Sequence, residues 1–141
     1  MSKQEVDYSL LNEEHTKKYR ETDGEVGYLW HGAPILLLTS TGQRSGEKRT
    51  TPLIFGRDGD DYLIVASMGG MPRHPWWYEN LRADPEAEIQ MKSERIPVMA
   101  RTATADEKPR LWKIMREIWP NYDEYQSRTD REIPVVVLTP R

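Results

Sequence analysis

The sequence predicts one α+β, mainly β domain: six strands forming a small closed or split barrel with flanking helices. Three observations point there. The 141 residues give room for one hydrophobic core and not two. Six short apolar or alternating segments are separated by Gly, Pro and Asp turn residues. Stretches with helical spacing stand before and between those strands.

Residues 1–24 read as a leader, helical or partly disordered, ahead of a barrel domain over 25–141. In the leader, Tyr8, Leu11, His15 and Tyr19 recur at three- and four-residue intervals, and Asp23-Gly24 would close that helix. Pro34–Thr41 is an apolar run bounded by glycines, and Arg49–Phe55 resumes after a Gly-containing turn. Arg57-Asp58-Gly59-Asp60 carries a tight-turn signal that leads into a third strand over Tyr62–Ser67, which makes a meander. A short helix opens at Pro75 and stops before Asp84-Pro85. Strands over Glu86–Lys92 and Arg95–Thr102 follow. Next comes an amphipathic helix with Leu111, Met115, Ile118 and Trp119 on one face, capped by Asp106 so that Pro109 costs no hydrogen bond. Ile133–Thr139 is the last strand.

Composition removes several chemistries. No cysteine is present, so there is no disulfide framework, thiolate nucleophile or thiolate metal site. The net charge of −3 argues against a nucleic-acid binder. No apolar run approaches the roughly 20 residues of a membrane span, and the charged start Met1-Ser2-Lys3-Gln4-Glu5 does not resemble a secretory signal. A cytoplasmic protein is the expectation. His15, His31 and His74 lack the spacing of metal ligands, so no metal is expected. Asp58, Asp60 and Asp61 coincide with a hairpin tip, where such residues set turn geometry.

The chemistry that remains concerns binding. Gly42-Gln43-Arg44-Ser45-Gly46-Glu47-Lys48-Arg49 gathers three cations around a two-glycine turn, which is the best anion site in the chain, although Lys and Arg are also common on solvated hairpin tips. Pro52 cannot donate to a neighbouring strand and suits an edge, where free backbone groups could meet a planar heterocycle. Gly69-Gly70 after Ser67-Met68 permits close approach of a flat ligand to the backbone. Trp76 and Trp77 point to opposite sides of a short helix; one can be core, and the other suits a stacking wall. Trp119, Tyr122 and Tyr125, at three-residue spacing, fit either a core seal or a substrate wall.

Taken together, four motifs resemble the deazaflavin-dependent nitroreductase family, which binds coenzyme F420 on a split β-barrel. They are Leu38–Gly46, Arg49-Thr50-Thr51-Pro52-Leu53, Pro75–Leu81 and Tyr122–Pro134, and the likeness runs from about Ala33 to Pro140. The resemblance implies a single six-stranded split β-barrel and an enzyme that passes a hydride from reduced deazaflavin to quinones, nitroaromatics or activated enones. It implies that the phosphate and oligoglutamate tail of F420 lie on the basic turn formed by Gln43, Arg44, Ser45, Lys48 and Arg49. The ring would lie against Thr51, Pro52, Leu53 and Ile54 and against Ala66, Ser67 and Met68, with Trp76, Trp77, Asn80 and Tyr122 nearby. Ser67, Tyr122 and Tyr125 are the catalytic candidates; Trp119, Tyr122 and Tyr125 would line the substrate pocket. Many members carry lysine where this chain has Met68 and tyrosine where it has Trp119. The first change removes a tail contact and the second reshapes the pocket. The partner implied is a small-molecule hydride acceptor, with the protein a monomer or a homodimer. An FMN-binding split-barrel oxidoreductase and a non-catalytic deazaflavin-binding protein are the alternative readings.

Overall fold

The computed structural model describes residues 13–141. Among these residues eight strands and four α-helices follow one another: α1 Glu13–Thr22, β1 Leu29–Trp30, β2 Ala33–Thr41, β3 Lys48–Ile54, β4 Gly56–Asp58, β5 Asp61–Val65, α2 Trp76–Ala83, β6 Glu86–Met91, β7 Glu94–Thr102, α3 Lys108–Ile118, α4 Asn121–Ser127 and β8 Val135–Pro140. The six expected strands are β2, β3, β5, β6, β7 and β8. The short β1 and β4 are additions.

Pairing is antiparallel throughout and runs β1-β2-β6-β7-β8-β5-β4, with β3 on the other side of β2. The expected meander is therefore incomplete. β3 pairs with β2 from Thr41↔Lys48 to Ile35↔Ile54. After Phe55 the chain bends, and its continuation β4 pairs with β5 from Gly56↔Leu63 to Asp58↔Asp61. One segment thus serves both ends of the curled sheet, which nearly closes the barrel. Between β3 and β5, among the described residues, no ladder forms. That seam is where the barrel is split.

The apolar runs of β2 and β8 are continuous because both faces of the sheet are covered. Ile35, Leu37, Val135 and Val137 join a core with α1, α3 and α4, where Tyr19, Leu111 and Met115 are buried. Leu36, Leu38, Val136 and Leu138 join a second core under α2 with Trp77, Tyr78 and Leu81. A one-residue slip in either strand would exchange the two cores.

α1 is anchored by Tyr19, which is 0% exposed. Its hydroxyl donates to the Ile35 carbonyl (3.0 Å) and accepts from the Lys92 N–H (2.8 Å). Burial pushes the Tyr19 phenol up from its ordinary pKa. Asp23 and Gly24, at φ 51° and 82°, end the helix where expected; Tyr8 and Leu11 lie outside the described residues. Before α3 the expected cap is corrected. Thr104 and Glu107, not Asp106, form a reciprocal pair, Thr104 N–H to Glu107 Oε2 (2.8 Å) and Glu107 N–H to Thr104 Oγ1 (3.4 Å). This pair closes the turn just ahead of α3, whose flanking residue is Glu107, and Arg101 reinforces it by gripping Glu107 at 2.6 Å; together these bonds hold the Glu107 carboxyl down at about 2. Pro109 lies in the first turn, where no N–H is missed.

Candidate functional site

The β3–β5 seam opens into a cavity of about 490 Å³, within the size range of small-molecule sites. Pro52, Leu53 and Ile54 of β3 form one wall; Val65, Ser67, Met68 and Gly69 form the wall opposite. Trp76 and Trp77 close it from α2, and Trp30, Trp119, Tyr122 and Tyr125 close it from the helical side. β3 is paired on one side alone, so the missing N–H of Pro52 breaks no described ladder on the seam side.

The aromatic side is closely interlocked. Trp119 Nε1–H donates to the Tyr125 hydroxyl at 3.2 Å. Trp30 packs on Trp119 with centroids 5.2 Å apart, and Tyr122 meets Tyr125 edge-on at 6.0 Å. Tyr122 and Tyr125 are buried. They belong to α4, a seven-residue helix for which the sequence reading had aromatic spacing and no element. The adjacent indoles of α2 divide as expected, Trp77 at 5% exposure and Trp76 at 45%.

Opposite them, Met68, Gly69 and Gly70 make a tight 3-10 turn with φ of 46°, 63° and 83°. All three are left-handed, a region costly for a side chain such as that of Met68. The two glycines differ in purpose. A Cβ on Gly69 would stand in open space, whereas one on Gly70 would come within 2.6 Å of the Tyr125 carbonyl oxygen. Gly70 is therefore the point where this turn seats against α4.

A second, shallower concavity of about 240 Å³ adjoins the first across Trp76 and is lined by Gly42, Gln43, Arg44, Ser45, Arg49, Trp76 and Asn80. α2 fixes this turn through Asn80, whose Oδ1 accepts from Gln43 N–H (3.1 Å) and whose Nδ2 donates to Ser40 Oγ (3.3 Å). Ser45 Oγ accepts from Glu47 N–H at 3.1 Å. Arg44 and Arg49 are exposed, and no ion pair occupies either among the described residues.

Three residues expected at the site line neither concavity. Lys48 turns its ammonium to Thr41 Oγ1 (2.9 Å), Thr51 stands opposite Leu38 in the β2–β3 register, and Ala66 is buried beneath the seam. Sequence reasoning missed Trp30, Val65, Met71, Pro75 and Arg128 on the walls. It also missed Arg131 behind them. The Arg131 guanidinium donates from Nε to the Met71 carbonyl (2.8 Å), from Nη1 to the Ala66 carbonyl (3.1 Å) and from Nη2 to the Ser67 carbonyl (2.7 Å). Nη1 also lies 3.1 Å from His74 Nδ1. Arginine has no acceptor, so His74 Nδ1 must accept and the imidazole is neutral in this contact. Burial first, and the Arg131 charge second, hold the His74 pKa below its ordinary value. Asp58, in the acidic hairpin tip, pairs with Arg110 at 2.7 Å and lies away from both concavities.

Chemically, the arrangement offers an apolar slot for a flat ring beside an exposed cationic shelf for an anionic appendage. Comparisons with known proteins bear on the family. The family model for F420H(2)-dependent quinone reductase matches residues 11–140. An F420H(2)-dependent quinone reductase of Mycobacterium tuberculosis is 50% identical over 131 residues, 90% of this chain and 88% of that one. A solved structure described as an F420-H2 dependent reductase is 42% identical, with a TM-score of 0.69 over 74% of this chain and 93% of the other. Another, described as a domain-swapped dimer, is 41% identical with a TM-score of 0.72, covering 89% of this chain and 94% of the other.

Proposed function

The chain belongs to the F420H(2)-dependent quinone reductase family, and from that premise we propose that the seam cavity holds the F420 ring face to face with a quinone-type acceptor. The observation that carries this reading is the junction of two unlike concavities at Trp76. A tricyclic ring with a charged tail needs both an apolar slot and a cationic groove, and here they are contiguous.

The residues fit the coenzyme. Arg44 and Arg49 meet its anionic tail, with Gln43 and Ser45 shaping the turn that holds them. Asn80 keeps that turn against α2. Lys48, bonded to Thr41, and Thr51, in the β2–β3 register, act on the strand rather than on the tail. Ser67 at φ −79°, ψ −38° followed by Met68 at φ 46° is a backbone succession that turns consecutive N–H groups to one side, which suits the polar edge of the ring. Pro52, Leu53 and Ile54 support its apolar face.

When bound, reduced F420 supplies a hydride in a single two-electron step. The chain's contribution is to bind, orient and exclude water. The Ser67 and Tyr122 hydroxyls orient the acceptor's oxygens by hydrogen bonds. Tyr125, held by Trp119, forms a wall that cannot yield, and Trp76 covers the mouth. No side-chain nucleophile takes part.

Titration of the purified protein with F420 and, separately, with FMN, followed by tryptophan quenching, tests the reading, because Trp30, Trp76, Trp77 and Trp119 all line the cavity. Quenching by F420 that saturates at micromolar concentration or below, with none by FMN, is expected. Preferential binding of FMN would remove the assignment of the tail site.

A further inference from the structure

Behind the cavity wall formed by Ser67, Met68, Gly69 and Met71 lies one cation that does not line the cavity at all. Arg131 spends three donors on the carbonyls of Ala66, Ser67 and Met71 and a fourth contact on His74 Nδ1. These four partners bracket the whole segment from the end of β5 to the start of α2. Inside the bracket stand three consecutive left-handed residues, one of them Met68. Such a turn persists only where its surroundings over-determine it. The turn also seats closely at Gly70, against Tyr125 and Arg128, with a long contact of 3.4 Å from Arg128 to the Gly69 carbonyl.

We propose that Arg131 is a positioning residue for hydride transfer: by holding the Ala66–His74 segment from behind, it fixes the wall at Ser67 and Met68 against which coenzyme and acceptor are aligned. The proposal rests on the placement of the ring argued above. A planar fork is the side chain suited to the task, since it can direct parallel N–H bonds to several carbonyls at fixed angles, whereas a lysine ammonium offers one point of attachment. Displacement of a positioned group by about 1 Å can cost on the order of 100-fold in rate, while affinity for the coenzyme depends chiefly on the separate cationic shelf.

The test uses Arg131→Lys and Arg131→Ala in the full chain. For the unliganded protein, tryptic cleavage after Arg73 is followed by the mass of the fragment it releases; this reads the clamp without coenzyme. For the loaded protein, F420 affinity, kcat with reduced F420 and menadione, and the response of kcat to added methylguanidinium are measured. The expected result is faster cleavage after Arg73 in both variants and an F420 Kd within about threefold of wild type. kcat should fall on the order of 10- to 100-fold in Arg131→Ala and less in Arg131→Lys, with partial recovery of the alanine variant by methylguanidinium and none in wild type. A kcat that falls only in proportion to the unfolded fraction, without chemical rescue, or a defect confined to F420 affinity with kcat at saturation unchanged, would overturn the positioning role. Unchanged cleavage and unchanged kcat in both variants would do the same. Wild-type protein that binds no F420 would instead overturn the function on which the role depends.

Discussion

The two concavities that meet at Trp76 are built on opposite principles. The seam cavity is walled by strands, buried aromatics and a strained turn, and its walls come from residues as far apart in sequence as Trp30 and Tyr125. The cationic shelf is one hairpin turn of exposed side chains, closed by its own hydrogen bonds and tied to α2 by the buried amide of Asn80. Preorganisation therefore belongs to the first and long-range charge to the second. Disturbing the cavity should change rate and stability, and disturbing the shelf should change affinity and its salt dependence.

The sharpest way to break the cavity is Gly70→Ala. The added Cβ must sit at φ 83° and within 2.6 Å of a backbone oxygen, a combination expected to cost about 2–4 kcal/mol. Denaturant melts should show the loss, and a variant as stable as wild type would mean the turn reseats freely. Arg44→Ala with Arg49→Ala addresses the shelf. Removal of two exposed cations from an anionic ligand, at up to about 1 kcal/mol each, should weaken F420 binding about tenfold and flatten its dependence on ionic strength, with kcat at saturation unchanged. Titrations at two salt concentrations decide this; identical curves would place the tail elsewhere.

Tyr122→Phe sharpens the comparison from the cavity side. Loss of one orienting hydrogen bond, about 1 kcal/mol, should lower turnover roughly fivefold and leave F420 affinity untouched. Equal turnover of mutant and wild type would remove Tyr122 from its role.

The smallest effect is on pH. His74 has its folded pKa below the unfolded value of about 6.5, because of burial and of Arg131, with Arg82 adding to the repulsion and Glu79 opposing it. As pH falls the unfolded chain takes up the proton first, so the His74 contribution is complete above about 6.5 and is lost as pH drops through the folded value. Melting temperatures between pH 8 and 5 should fall in wild type and less steeply in His74→Asn, which keeps an acceptor that does not titrate. Superimposable profiles would exclude His74 as the group responsible.

These two regions also differ in how far they could be read in advance. The shelf is contiguous in sequence, so Gly42–Arg49 disclosed its charge and its turn, although not that Lys48 would bend to Thr41. The paired indoles were legible for the same local reason: neighbours on a helix must face apart. The cavity is an assembly of distant pieces. Trp30 stands on a two-residue strand too short for a pattern, α4 is a short polar helix led by Pro120, and Arg131 resembles any loop arginine until three carbonyls surround it. The bend after Phe55, which gives β3 and β4 different partners and so creates the seam, has one local mark, Gly56 inside the run, and that mark does not say which strand each half will pair with. Asp106 was the cap that local spacing offered, and the contacts that fix Glu107 at that place instead, from Arg101 and Thr104, come from across a loop.

The central claim is that this cavity brings reduced F420 and a quinone-type acceptor into a productive pair, and anaerobic mixing of the protein with reduced F420 and menadione tests it most directly. The account predicts return of the oxidised-coenzyme absorbance at a rate that rises in proportion to enzyme and saturates in both substrates. Saturable binding of F420 with no oxidation above the protein-free rate, across a panel of quinones, would contradict it and leave a protein that binds the coenzyme without using it.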